Sequence, residues 1–106
     1  MRSFRITAQR ADVDGLPVRC TYADAFVVLR DGADQPGTTD WEVQIRTDEV
    51  VSLTMDRHDV ALHVVDGSTL RGAAIVRFSD GHRHLFRGDG PLDGFVDDTP
   101  EELRAR

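Results

Sequence analysis

Apolar and polar residues alternate with a period of two along most of the chain, the period of a β-strand with one buried face. Phe4, Ile6 and Ala8 alternate with Arg5, Thr7 and Gln9; Trp41, Val43 and Ile45 with Glu42, Gln44 and Arg46; Val51, Leu53 and Met55 with Val50, Ser52 and Thr54. After a turn at Asp12 to Gly15 the pattern also runs through Val18, Cys20 and Tyr22, against Pro17, Arg19 and Thr21. Pro17 has no amide proton to donate, which restricts it to a strand start or a sheet edge. The phase then breaks, because continuing it would bury Asp24 beside Tyr22, while the residues from Ala25 to Leu29 are apolar on both faces. A bulge near Ala23 and Asp24, or two short strands around a corner, removes the conflict. Either way Phe26 and Val28 need cover, from the C-terminal tail or from another subunit, and they are the candidate interface residues.

The stretch from Val60 to Arg87 holds three apolar-rich runs separated by two Asp-Gly turns and predicts a three-stranded antiparallel meander. Register follows from the cost of burying arginine. A two-residue loop at Asp66-Gly67 would put Val60, Leu62 and Val64 on one face with Thr69, Arg71 and Arg77. A three-residue loop, Val65-Asp66-Gly67, joins them instead to Leu70, Gly72, Ala74, Val76 and Phe78, and is the expected turn. At Asp80-Gly81 a two-residue loop turns Leu85, Arg83 and Arg87 inward. A three-residue loop, Ser79-Asp80-Gly81, turns His82, His84 and Phe86 inward. Neutral imidazole is buried more cheaply than guanidinium, so the second is expected.

The segment 30–40, RDGADQPGTTD, reads as a polar surface loop, and GDGPLDGF after Arg87 as irregular chain anchored by Leu92 and Phe95. Thr99-Pro100-Glu101-Glu102 is a capping box with proline at the first helical position, predicting a short C-terminal helical turn. VDGLPVRCTYADAFVVLRDG from Val13 and VDGSTLRGAAIVRFSDG from Val65 resemble each other, which suggests two related three-stranded meanders with an extra strand between. The expected fold is all-β: a small antiparallel β-barrel or two-sheet sandwich of about seven strands built from hairpins and meanders. The barrel domain spans 1–96, and 97–106 form an acidic C-terminal tail or short helix.

Composition narrows function mostly by exclusion. The 106 residues make one domain, and the net charge of −6 disfavours a nucleic-acid partner. Arg71, Arg77, Arg83 and Arg87 share an outward face, but Phe78 and Phe86 are expected inward, so the stacking aromatics of a nucleic-acid surface are missing. All thirteen basic residues are arginine, read as compositional bias, and the single cysteine, Cys20, reads as a small buried hydrophobe. No run approaches membrane-spanning length and no leader is evident, so a cytoplasmic protein with no membrane partner is expected.

Candidate chemistry is sparse. His82 and His84 on one strand face would lie about 7 Å apart, within reach of one metal ion, but Asp80, His58 and Asp56 offer no diagnostic ligand spacing, so neither metal nor cofactor is expected. No nucleophile motif or phosphate loop is present. The cluster Asp89, Asp93, Asp97 and Asp98 reads as a solvated tail. The first expectation is a non-catalytic barrel acting by association, as a homo-oligomer or as a module for a protein partner. The alternative is a small enzyme or small-molecule-binding barrel whose cavity opens near His82 and His84, with Arg77 and Asp80 as further ligand-binding candidates.

Overall fold

The computed structural model describes residues 2–29 and 39–95. The expected 30–40 loop, apart from its last residues, and the expected C-terminal helical turn and tail lie outside them. Seven strands are present: β1 (Arg2–Val13), β2 (Leu16–Val18), β3 (Tyr22–Leu29), β4 (Thr39–Arg46), β5 (Arg57–Val64), β6 (Thr69–Ser79) and β7 (Arg83–Gly88). No helix occurs among the described residues. The strands run in the order β2-β1-β3-β4-β7-β6-β5, and a β1–β5 pairing closes six of them into an antiparallel barrel with β2 as the extra strand. Between the two closed alternatives expected, the chain therefore takes the barrel, which leaves fewer edges to protect.

The barrel consists of two meanders, one built from β1 to β4 and the other from β5 to β7. First strand pairs with first strand, β1 with β5, and last with last, β4 with β7, both antiparallel. Twelve-residue β1 makes this closure work: Arg2 to Ala8 pair with β3, and Ala11 to Val13 pair with β2 on the same edge. A register shift between Ala8 and Arg10 turns both Ala8 and Ala11 inward, while Gln9 and Arg10 face solvent. Pro17 sits in the edge strand, where its missing donor costs nothing.

Inward residues fill the barrel. Ala8, Ala11, Ala23, Ala25, Val27, Val43, Ile45, Leu62, Ala74, Val76 and Phe86 are all buried, with Trp41 across one end and Leu92 tucked against it. Burying each of the larger side chains is worth about 1.5–3 kcal/mol. Phe95 meets Phe4 edge-on, with ring centroids 5.4 Å apart, so both expected anchors of the segment after β7 reach the core.

The first Asp-Gly turn of the second meander closes as expected. Val64 and Ser68 bracket a three-residue loop, Val64 accepts from Gly67, and Gly67 has φ +93°, which a glycine adopts without strain. Val60, Leu62, Leu70, Ala74 and Val76 are buried together on the inner face.

Three expectations need correction. The alternating run from Val51 to Met55 is not a strand: both edges of β4 are taken by β3 and β7, and both edges of β5 by β1 and β6, so the closed barrel has no edge to receive it. Leu53 still packs against the core from that loop. The phase break takes the second form expected, two strands around a corner at Arg19 to Thr21, with no bulge at Ala23 and Asp24; Ala23 then faces in, and Tyr22, expected inward, faces out. Phe78 also faces out, because a bulge at Arg77 inserts one residue between Val76 and Phe78. The barrel interior keeps its phase through Val76 opposite Phe86, and Ser79 opposite His84, while the two bulge positions Arg77 and Phe78 are both exposed.

Candidate binding surface

The second Asp-Gly turn fixes where the expected site residues go. The amide of Asp80 donates to the Arg83 carbonyl, so Gly81 and His82 form the tip, a geometry different from either loop considered from sequence. The carboxylate of Asp80 holds the tip by accepting from the amides of His82 (3.0 Å) and Arg83 (2.7 Å), and it meets Arg83 Nε at 3.3 Å. Those donors, the Arg83 amide first, lower the Asp80 carboxyl to about 2. Asp80 is thus committed to the turn.

His82 lies at this tip, exposed, with Nδ1 3.1 Å from the Thr47 carbonyl. His84 does point inward, at 2% exposure, with Nδ1 2.7 Å from Ser79 Oγ and Nε2 3.4 Å from Thr47 Oγ1. Burial lowers its pKa, so the ring is a neutral core residue bridging two hydroxyls. Ile45, Thr47 and Phe86 fill the interior at this level. The structure therefore does not bring His82, His84, Asp80 and Arg77 together around one opening: one is inside, one is at the tip, one is used by the turn, and Arg77 lies out on the bulge. Among the described residues no three His, Cys, Asp or Glu side chains converge to hold a metal ion.

The outer face of β3, β4, β7 and β6 is where unused chemistry collects. Cross-strand pairing sets Tyr22 beside Arg46 and Arg46 beside Arg83. Two residues further along, Asp24 lies beside Gln44, Gln44 beside Leu85, and Leu85 beside Phe78. Phe78 is 46% exposed and Tyr22 38%. Tyr22, Gln44, Phe78, Arg83 and Leu85, together with Ile45 and His84, line a shallow groove of about 200 Å³. Arg46, Arg77 and Arg87 make no ion pair among the described residues. Two arginines directly opposite each other, Arg46 and Arg83, repel rather than stabilise the sheet.

Phe26 and Val28, the interface candidates, lie further along this outer face and are half-buried. The Arg5 guanidinium sits 5.9 Å over the Phe26 ring and also bonds Asp24 Oδ2 at 2.8 Å. Arg5 therefore supplies part of the cover that Phe26 was expected to need from a tail or a subunit. Val28 borders a second groove with Phe26, Glu42 and Arg87.

The acids lie elsewhere. Asp12, Asp59, Asp89 and Asp93, with Arg57 and Arg71, surround a groove of about 450 Å³ over β5 and β6. There Arg57 pairs with Asp89 and Asp12 with His63. At the β1–β2 turn, Asp14 Oδ2 takes His58 Nδ1 at 2.6 Å, while His58 Nε2 meets the Thr54 carbonyl at 2.9 Å. Both ring nitrogens thus face acceptors, an arrangement that only the imidazolium satisfies in full. Asp14 accordingly raises the pKa of His58, and His58 lowers that of Asp14. This dyad ties the β1–β2 turn to β5 and to the loop before it; His58 is buried while Asp14 is half exposed, and His58 Nε2 meets both the carbonyl and, at 3.3 Å, the Oγ1 of Thr54, so the contact reads as a structural latch.

No protein-family model, no curated protein and no solved structure matches this chain.

Sequence reasoning missed Tyr22, Arg46 and Phe78 as surface neighbours because their meeting depends on two phase breaks, at Arg19–Thr21 and at Arg77. The Tyr22 break had a visible signal, the conflict over Asp24. The Arg77 bulge had none in the apolar pattern.

Proposed function

We propose that this protein is a non-catalytic β-barrel that acts by association, through the outer face of β3, β4, β7 and β6. The observation that carries the reading is the exposed position of Tyr22 and Phe78 around Leu85, on a barrel whose interior is filled with side chains. With Phe78 46% exposed, the bulge forgoes part of the about 1.5–3 kcal/mol that full burial of a phenylalanine contributes. Exposed aromatics beside arginines that make no ion pair among the described residues have the composition of interface centres. His84 borders the same groove, but its ring is 2% exposed and lies between the Ser79 and Thr47 hydroxyls, which favours association at the surface over a ligand cavity at that ring.

The partner sought by this reading is a second copy or another protein in a reducing, cytoplasmic setting, consistent with a lone, half-buried Cys20 whose thiol burial pushes its pKa up. No helix among the described residues is long and apolar enough to cross a membrane. Sedimentation velocity tests self-association: a sedimentation coefficient that rises with concentration and is restored to the monomer value by Phe78→Arg is expected for a homo-oligomer. A strict monomer whose Tyr22 and Phe78 ring signals are unmoved by acidic peptide, basic peptide or oligonucleotide would defeat the reading.

A further inference from the structure

Three features of the Tyr22–Phe78 face restrict what it binds. Around Tyr22 and Phe78 its charges are cationic: Arg46 and Arg77 make no ion pair among the described residues, and Arg83 shares Asp80 with the turn amides. Of the carboxylates on the same strands, Asp24 pairs with Arg5 and Asp80 is held in its turn, while Asp40 and Glu42 lie further along β4, Glu42 directly opposite Arg87. The four aspartates of the larger groove lie over β5 and β6, so the molecule's net charge of −6 misdescribes this face. An anionic occupant is indicated.

The face also offers rings and no deep pocket. The groove of about 200 Å³ is shallow, and all four of its strands have both edges paired, so a peptide can neither add as a strand nor sink a side chain. Flat groups stacking on Tyr22 and Phe78 need neither. The two rings stand three interstrand spacings and one two-residue step apart, roughly 16 Å from standard sheet dimensions. Arg46, Gln44, Leu85 and Arg83 lie between them, cations alternating with an amide and an apolar surface.

Resting on the association reading above, we propose that the occupant is single-stranded nucleic acid, with bases stacked on Tyr22 and Phe78 and the intervening phosphates on Arg46 and Arg83. The span suits a short oligonucleotide, at the lower end of the ~4–16 nucleotides that small barrels cover. Besides the net charge, the sequence argument against this partner is that the aromatics face inward. The Arg77 bulge removes that objection for Phe78, and Tyr22 supplies the second ring; Phe86 remains fully buried.

The test is fluorescence anisotropy of labelled decathymidylate and decauridylate with the intact protein. Binding at low salt is expected, weakening with a log–log slope of about −1.4 for the two phosphates held by Arg46 and Arg83. Tyr22→Ala and Phe78→Ala should each weaken binding about tenfold, as loss of one stacked base requires, with Phe78→Tyr retaining it. Arg46→Gln should weaken binding and flatten the salt slope. Circular dichroism on each variant reports the fold. The absence of binding at about 50 mM salt, or binding indifferent to Tyr22 and Phe78, would overturn the inference. Tighter binding of duplex than of single strands would overturn it equally. If oligonucleotides fail while Phe78→Arg abolishes a sedimenting oligomer, the nucleic-acid inference falls and the association reading stands.

Discussion

The indole of Trp41 occupies the space that a side chain at Gly88 would fill. A Cβ built on Gly88 would lie 2.3 Å from Trp41 Cε2, and one on Gly72 would lie 2.6 Å from Cζ2 and 2.8 Å from the Pro91 carbonyl oxygen. The ring thus lies flat against β6 and β7 at neighbouring glycines, and its Nε1 donates to the Gly90 carbonyl at 2.9 Å. One tryptophan on β4 thereby closes the end of the barrel and fastens the chain that leaves β7.

Gly88→Ala is the direct test of that fit. The indole is hemmed in and cannot retreat, so overpacking should cost about 1–3 kcal/mol, with Gly72→Ala similar, by urea denaturation. Gly67→Ala is the contrast: nothing stands within 4 Å of its Cβ, so only the positive φ is penalised, about 1 kcal/mol. Trp41→Phe keeps a ring but leaves the Gly90 carbonyl without its donor, an expected loss of about 1–3 kcal/mol. Equal stabilities for Gly88→Ala and wild type would show that the indole is not seated as described.

The His58–Asp14 latch predicts a dependence of stability on pH. Because Asp14 raises the His58 pKa in the folded state, its stabilisation is complete below the unfolded value of 6.5 and is lost as pH rises through the higher folded value. Asp14, lowered from 3.8, works the other way: its contribution is present above that value and lost as pH falls through the folded one. His84 opposes His58. Burial depresses its folded pKa, so it contributes stability above 6.5 and loses it as pH falls below. Urea midpoints from about pH 5 to about pH 9 should therefore show His58→Gln removing a decline on the alkaline side. His84→Gln should remove one on the acid side. An alkaline decline that persists undiminished in His58→Gln would place its origin elsewhere.

Asp80 makes the second hairpin a local question. Replacing it by alanine removes the acceptor for the amides of His82 and Arg83, and hydrogen exchange at those two amides should accelerate several-fold while the Phe86 and Val76 amides stay protected. Asp80→Asn retains one acceptor oxygen and should fall between. Unchanged exchange at Arg83 in the alanine variant would mean that the backbone alone holds the turn.

Much of this architecture was legible from side-chain period, and the failures share a cause. The cost of burying Arg71 and Arg77 was enough to settle the first hairpin, and the buried positions of His84 and Phe86 follow from the same reasoning even though the loop was wrong. Period two describes one strand at a time. It carries no information about whether a neighbour has a free edge, which is why the run from Val51 to Met55 alternates and yet stays outside the sheet. Nor does it register an inserted residue: one bulge at Arg77 reverses Phe78, and one break at Arg19–Thr21 reverses Tyr22. The binding surface was illegible because it consists of the residues those two irregularities redirect. The His58–Asp14 contact joins positions 44 residues apart and follows from barrel closure, which the local pattern does not determine.

Arg5 and Asp24 provide a final check on how the outer face is held. Asp24 is 5% exposed although it points away from the barrel axis, because Arg5 covers it while stacking on Phe26. Arg5→Ala therefore removes a partner from an enclosed carboxylate and also uncovers an aromatic ring, whereas Asp24→Ala removes only the acceptor. The Arg5 side chain is largely in solvent, so the direct coupling in a double-mutant cycle should be modest, about 1 kcal/mol. Arg5→Ala should nonetheless cost more than Asp24→Ala, and the excess should shrink in an Arg5→Met background, where the alkyl cover over Phe26 is kept and the charge is lost. Identical losses for Arg5→Ala and Arg5→Met would assign the whole effect to charge and deny the packing role.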